Sequence, residues 1–95
     1  MEQRPGHADA RFLQRNLQRA LQGEAEAFYE LGVAYAAGRE GVGIDLIQAH
    51  KWFNLAALKG DDRAVCDRRE LSEEMSKEDI SVAQREARDF LKAVA

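Results

Sequence analysis

A single cysteine cannot close a disulfide within the chain. Stability must come from packing, and a reducing compartment is expected. Cys66 would have Asp62, Arg63, Arg69 and Glu70 within helical reach, a mixed field that gives no thiolate stabilisation. There are two histidines, and no cysteine keeps metal-ligand spacing with either. No metal or cofactor is therefore expected. His7 falls in the polar lead. His50 stands alone, with Leu46, Ile47, Phe53 and Asn54 around it, and reads as a partly buried structural histidine. No nucleophile–base constellation emerges, so the chain is not expected to be an enzyme. Glu70, Glu73 and Glu74 read as a solvated acidic face rather than as acid–base catalysts. No apolar run approaches the length of a membrane span. The opening MEQRPGHADARFL lacks an apolar signal core, which predicts a cytoplasmic protein.

What is present describes a small globular domain. Of the 95 residues, 45% are hydrophobic and 33% charged, a balance that supports a modest core and excludes wholesale disorder. The net charge of −3 argues against general nucleic-acid binding. The charge is unevenly spread. Residues 1–22 carry four arginines against Glu2 and Asp9, a net +2, and the remainder carries ten basic and fifteen acidic residues, a net −5.

The chain is organised around residues 23–60, two helical patterns split by a glycine-rich turn. The opening Gly23-Glu24-x-x-Ala27 recurs 37 positions later as Gly60-Asp61-x-x-Ala64. A period in the thirties with a helix–turn–helix inside it is the mark of an α-solenoid. In residues 24–37, Ala27, Leu31, Ala34 and Tyr35 form one helical face. Gly32 in mid-helix costs about 1 kcal/mol against alanine, which suggests that a neighbouring helix must come close. The neighbour is expected at 45–59, where Ala49, Trp52, Phe53, Ala56 and Ala57 make a broad apolar face. Asp45 is the expected N-cap, with Gln48 completing a capping box. The turn Gly38-Arg39-Glu40-Gly41-Val42-Gly43 follows a helix and lacks the Gly-Lys-Ser/Thr end of a phosphate loop. Its glycines suit chain reversal, with Val42 and Ile44 expected to plug the end of the core.

The pattern Ala27-x-x-x-Leu31-Gly32-x-x-Tyr35-x-x-Gly38-x-x-Gly41-Val42-x-x-Asp45-x-x-x-Ala49-x-x-Trp52-Phe53-x-x-Ala56-Ala57-x-x-Gly60 resembles the Sel-one-like repeat, a relative of the tetratricopeptide repeat. The likeness covers one whole repeat. In the second copy, Arg68-Arg69 and Ser72 stand where the repeat has Leu-Gly and Tyr, so the array is expected to stop there. The run Leu71-x-x-x-Met75-x-x-x-x-Ile80-x-x-Ala83-Gln84-x-x-Ala87 is similar to the segment that often closes short bacterial proteins of this family.

The resulting expectation is an all-α, right-handed α-α superhelix of about five helices. Residues 1–7 are expected to be a flexible polar lead and 8–95 a single domain, with the full repeat over 24–60 and a partial repeat and capping helix over 61–95. The first helix, about Ala8 to Gln22, would pack Phe12, Leu13, Leu17, Ala20 and Leu21. Its Arg11, Arg15 and Arg19 form a stripe at i, i+4, i+8, either a solvated face or a basic docking edge. The helix near 61–74 would bury Ala64, Val65 and Leu71, with the Arg68 stem packed and its head in water. Ser76 would start the last helix, with Met75 and Ile80 as a hydrophobic staple. Its face would hold Ile80, Ala83, Ala87, Phe90, Leu91 and Val94.

The resemblance implies a non-catalytic protein–protein interaction module, an adaptor or scaffold that binds a peptide or protein surface on its concave face. Alternatives from other classes are a self-assembling structural piece and a small hydrolase-like β-lactam-binding protein. In such solenoids the first helix of each pair lines the concave side. Tyr29, Val33 and Ala36 lie off the packing face of helix 24–37, and the 37-residue period carries them to Cys66, Glu70 and Glu73. A groove apolar at one end and acidic at the other suits a peptide with Lys or Arg beside an apolar anchor. The competing expectation is that the N-terminal helix covers Tyr29 and Val33 as ordinary core. No nucleic acid or membrane partner is expected, and the state is monomeric or weakly oligomeric.

Overall fold

The computed structural model describes residues 5–95, with side chains from Arg11 onward. It holds five helices: α1 (Pro5–Leu21), α2 (Ala25–Ala37), α3 (Leu46–Leu58), α4 (Asp62–Ser72) and α5 (Lys77–Val94). The described residues form no strand. Residues 1–4 of the expected lead lie outside the described residues. Residues 5–7 are helical rather than part of a lead, because Pro5 opens α1. Proline suits a first helical turn, where its missing N–H has no partner to lose.

Local chemistry sets most of the ends. The Asp45 carboxylate accepts from the Gln48 N–H at 3.0 Å, Asp61 from the N–H groups of Arg63 and Ala64, and the Ser76 hydroxyl from the Asp79 N–H at 3.0 Å. These caps satisfy helix donors that have no partner within the helix. The capping box at Asp45 is only half formed. The Gln48 side chain donates across to Glu86 on α5 at 3.1 Å instead of back to the Asp45 N–H. Gly38 ends α2 at φ +69°, a left-handed conformation that suits glycine, and its N–H bonds the Ala34 carbonyl.

Helix α3 is central. It packs against α2, α4 and α5, and α1 lies on α2. The core joins Ala27, Phe28 and Leu31 of α2 to Trp52, Phe53, Leu55 and Ala56 of α3. Phe28, absent from the expected α2 face, is only 2% exposed. It stacks on Trp52 at 6.0 Å and meets Phe90 of α5 edge-on at 5.9 Å. Gly32 is buried, and a Cβ there would lie 2.5 Å from the Phe53 ring, so the close approach that this glycine suggested is present.

Several expected core positions lie at the surface. Ile44 is 68% exposed and Val42 half-buried, so this pair does not plug the core. Leu21, Leu91 and Val94 are also exposed, because each lies in the last turn of its helix, where the neighbouring packing runs out. Val65 is half-buried rather than buried. The Arg68 head donates to Asn54 at 2.6 Å as well as lying partly open.

Four contacts between alternate helices share nearly one offset, while the α3–α5 ion pair of Lys51 with Glu86 is two or three positions shorter. Glu26 meets Arg63 and Tyr29 meets Asp67 between α2 and α4; Gln48 meets Glu86 and Trp52 meets Phe90 between α3 and α5. Each pair is 37 or 38 positions apart. Helices α4 and α5 both pack on α3, and these four contacts fall near the sequence period.

Candidate functional site

A groove of about 350 Å³ opens beside α2. Its apolar wall is Phe12 of α1 with Tyr29, Val33 and Ala34 of α2, and its polar rim is Glu26, Glu30, Arg39 and Glu40. The α2 contribution follows from helical spacing. Glu26, Tyr29, Glu30 and Val33 fall at i, i+3, i+4 and i+7 and so share one strip. Arg39 and Glu40 come from the turn after Gly38, where Glu40 has φ +56°.

Tyr29 and Val33 are half-buried, between the open-groove and ordinary-core expectations. Tyr29 also contributes to the fold. Its hydroxyl donates to Asp67 at 2.7 Å, and its ring lies 5.6 Å from that of Phe53. The hydrogen bond to Asp67, then burial, raise its pKa to about 12, so the phenol stays protonated at neutral pH and is no base.

The other sequence-predicted residues lie elsewhere. Ala36 packs against the core outside the groove wall. Cys66, Glu70 and Glu73 are exposed on α4 and do not line the groove. The offset at Tyr29 is 38, which sets it opposite Asp67 rather than Cys66. Arg11 and Arg15 are exposed on α1. Arg19 does not extend their stripe as an open edge. It bonds Glu24 at 3.0 Å and Glu30 at 3.3 Å, clamping α1 to α2 beside the groove. Those contacts raise its pKa, the Glu24 hydrogen bond most of all.

Sequence reasoning missed Phe12 as a wall and Glu26, Glu30, Arg39 and Glu40 as a rim. The i, i+4 placement of Glu26 and Glu30 around Tyr29 was a signal that could have found two of them. It also missed Arg63. This guanidinium lies 4.0 Å above the Tyr29 ring and bonds Glu26 at 2.9 Å and Asp61 at 2.7 Å. Its pKa is raised, mostly by the Asp61 hydrogen bond and then by that to Glu26; the Arg63 bond lowers that of Asp61.

His50 is 2% exposed, and its Nε2 lies 3.1 Å from the Ser72 hydroxyl. Ser72 donates its own proton to the Arg68 carbonyl at 2.8 Å, so its lone pair is left to accept from a neutral imidazole N–H. This is the reverse of a nucleophile activated by a base, where the hydroxyl would donate to the ring. Burial, then the Arg68 charge, lower the His50 pKa below its ordinary 6.5. The unfolded chain thus takes up a proton near pH 6.5 that the folded chain refuses. Stability should be full above that pH, fall as the pH drops below it, and level off below the folded-state pKa. Urea titrations from pH 7.5 to 5 should show this slope, and His50→Gln should flatten it whatever its own cost. An unchanged slope in His50→Gln would assign the effect to other groups.

Among the described residues, no group of histidine, cysteine and carboxylate side chains could hold a metal ion. No helix among them is long and apolar enough to cross a membrane. Compared with family models, curated proteins and solved structures, the chain matches none.

Proposed function

We propose that this chain is a non-catalytic protein–protein interaction module, a right-handed α-α superhelix of the Sel-one-like type that acts as a cytoplasmic adaptor or scaffold. Four contacts between alternate helices, each at an offset of 37 or 38 residues, support the repeat reading. The observation that carries the binding function is the groove. Phe12, Tyr29 and Val33 leave apolar surface partly open within one concavity, whereas Phe28, Trp52 and Phe53 are buried. Its volume suits one or two anchoring side chains of an extended or helical peptide.

Affinity capture from the native lysate, followed by titration of the captured partner, tests the reading. Tyr29→Ala should weaken binding by about 1–3 kcal/mol, the usual cost of truncating an aromatic anchor. Tyr29→Phe should retain most of the affinity, because it keeps the ring and loses only the bond to Asp67. Thermal unfolding of both variants separates lost binding from lost fold. Glu70 and Glu73 lie outside the groove, and reversing both to lysine should slow association more than it speeds dissociation. A partner indifferent to Tyr29→Ala would remove the groove from the binding surface, and one indifferent to both reversals would remove the acidic face of α4.

A further inference from the structure

A cation stands beside the groove in the free protein without being part of its lining. Two of its lining residues, Glu26 and Tyr29, are engaged by Arg63 from α4. The guanidinium takes a carboxylate at 2.9 Å and an aromatic face at 4.0 Å, the two contacts by which a protein holds an arginine or methylated lysine. The lining counts three carboxylates, Glu26, Glu30 and Glu40, against the single cation Arg39. Arg63 is nonetheless open to solvent and has a second carboxylate in reach. Its side chain is 52% exposed, and Asp61, the N-cap of its own helix, bonds it at 2.7 and 3.1 Å. Were Arg63 to release Glu26, Asp61 would keep its charge paired.

We propose that the groove takes a partner segment carrying an arginine or lysine beside an apolar side chain, and that Arg63 is an internal stand-in which the partner's cation displaces. This rests on the reading of the chain as an interaction module with this groove as its site. The apolar side chain lies between Phe12 and Val33. The cation takes the Tyr29 face and the Glu26 carboxylate, and Arg63 swings onto Asp61. Arg63 then sets specificity as well as affinity. A neutral or acidic segment gains nothing from displacing it, and a cation recovers the contacts that Arg63 gives up.

The test uses three blocked hexapeptides in a serine–glycine background: one with arginine next to phenylalanine, one with citrulline in place of arginine, one with glutamate. Amide chemical-shift titrations follow Tyr29, Val33 and Glu30 in the whole chain. The arginine peptide should bind about fivefold more tightly than the citrulline peptide, roughly the worth of one charge-assisted contact. Arg63→Gln should tighten the arginine peptide by a similar factor and leave the citrulline peptide unchanged. Glu26→Gln should weaken the arginine peptide, an opposite sign that a general loosening of the fold would not produce. If arginine and citrulline peptides shift the groove equally, or if Arg63→Gln leaves the arginine peptide unchanged or weaker, the stand-in is overturned while the groove remains a binding site. If no peptide shifts the groove residues, the groove is not a peptide site, and the reading it rests on falls with it.

Discussion

Replacing Trp52 with alanine should cost about 3–5 kcal/mol, the usual range for a large aromatic removed from a core. That is a large part of the roughly 5–15 kcal/mol that holds a small domain folded. Trp52 is 3% exposed and stands where three helices converge. It stacks on Phe28 of α2 and meets Phe90 of α5 at 5.2 Å. Lys51 lies 4.7 Å over its ring and 3.9 Å from Glu86, so the indole also organises an α3–α5 ion pair. Alanine would leave a cavity whose walls belong to three different helices, and such a site relaxes poorly. Trp52→Phe should cost much less. The indole N–H is buried without a hydrogen-bond partner in this structure, and phenylalanine removes that donor while keeping a stacking ring. Since Trp52 is the only tryptophan, denaturation must be followed by circular dichroism. A loss below about 1 kcal/mol for Trp52→Ala would mean that the aromatic cluster does not hold the helices together.

Gly32→Leu should be the second most damaging change, at or above the roughly 1–3 kcal/mol typical of overpacking. A Cβ alone would sit 2.5 and 2.6 Å from two Phe53 ring atoms. The ring cannot easily yield, since Phe53 is 3% exposed and packs against Tyr29. Even Gly32→Ala should destabilise, although alanine ordinarily gains about 1 kcal/mol over glycine inside a helix. The clash must then exceed that gain. Phe53→Leu made together with Gly32→Ala should recover part of the loss, because the two residues share one space and their effects are not additive. Stability equal to or above that of the unaltered chain in Gly32→Leu would place the close approach of α2 and α3 elsewhere. Because Phe53 supports Tyr29, a folded Gly32→Ala variant should also disturb the groove, visible as shifts at Tyr29 and Val33.

The arginines show how tertiary structure reassigns surface charge. The Arg11, Arg15, Arg19 stripe was legible as a spacing, but its last member is spent on Glu24 and Glu30. Arg63 drew no attention as a groove residue, yet it touches two groove residues from a different helix. A helix strip states which residues share a side. It does not state which charges from neighbouring helices will meet them.

The same division runs through the whole chain. The sequence alone determined the five helices, the caps at Asp45 and Ser76, the 37-residue period and the glycine that lets α2 meet α3. Each of these depends on groups within about four residues along a helix, or on the absence of a side chain, and both are written locally. The tertiary structure alone decided that α2 buries Phe28 as well as its expected face, because the number of neighbours a helix has is not contained in its own periodicity. It alone decided that Gln48 reaches Glu86 rather than completing a box, and that Tyr29 faces Asp67 rather than Cys66. One residue turns a helix by about 100°. A stacking offset of 38 instead of 37 is therefore enough to exchange the side chain that meets Tyr29.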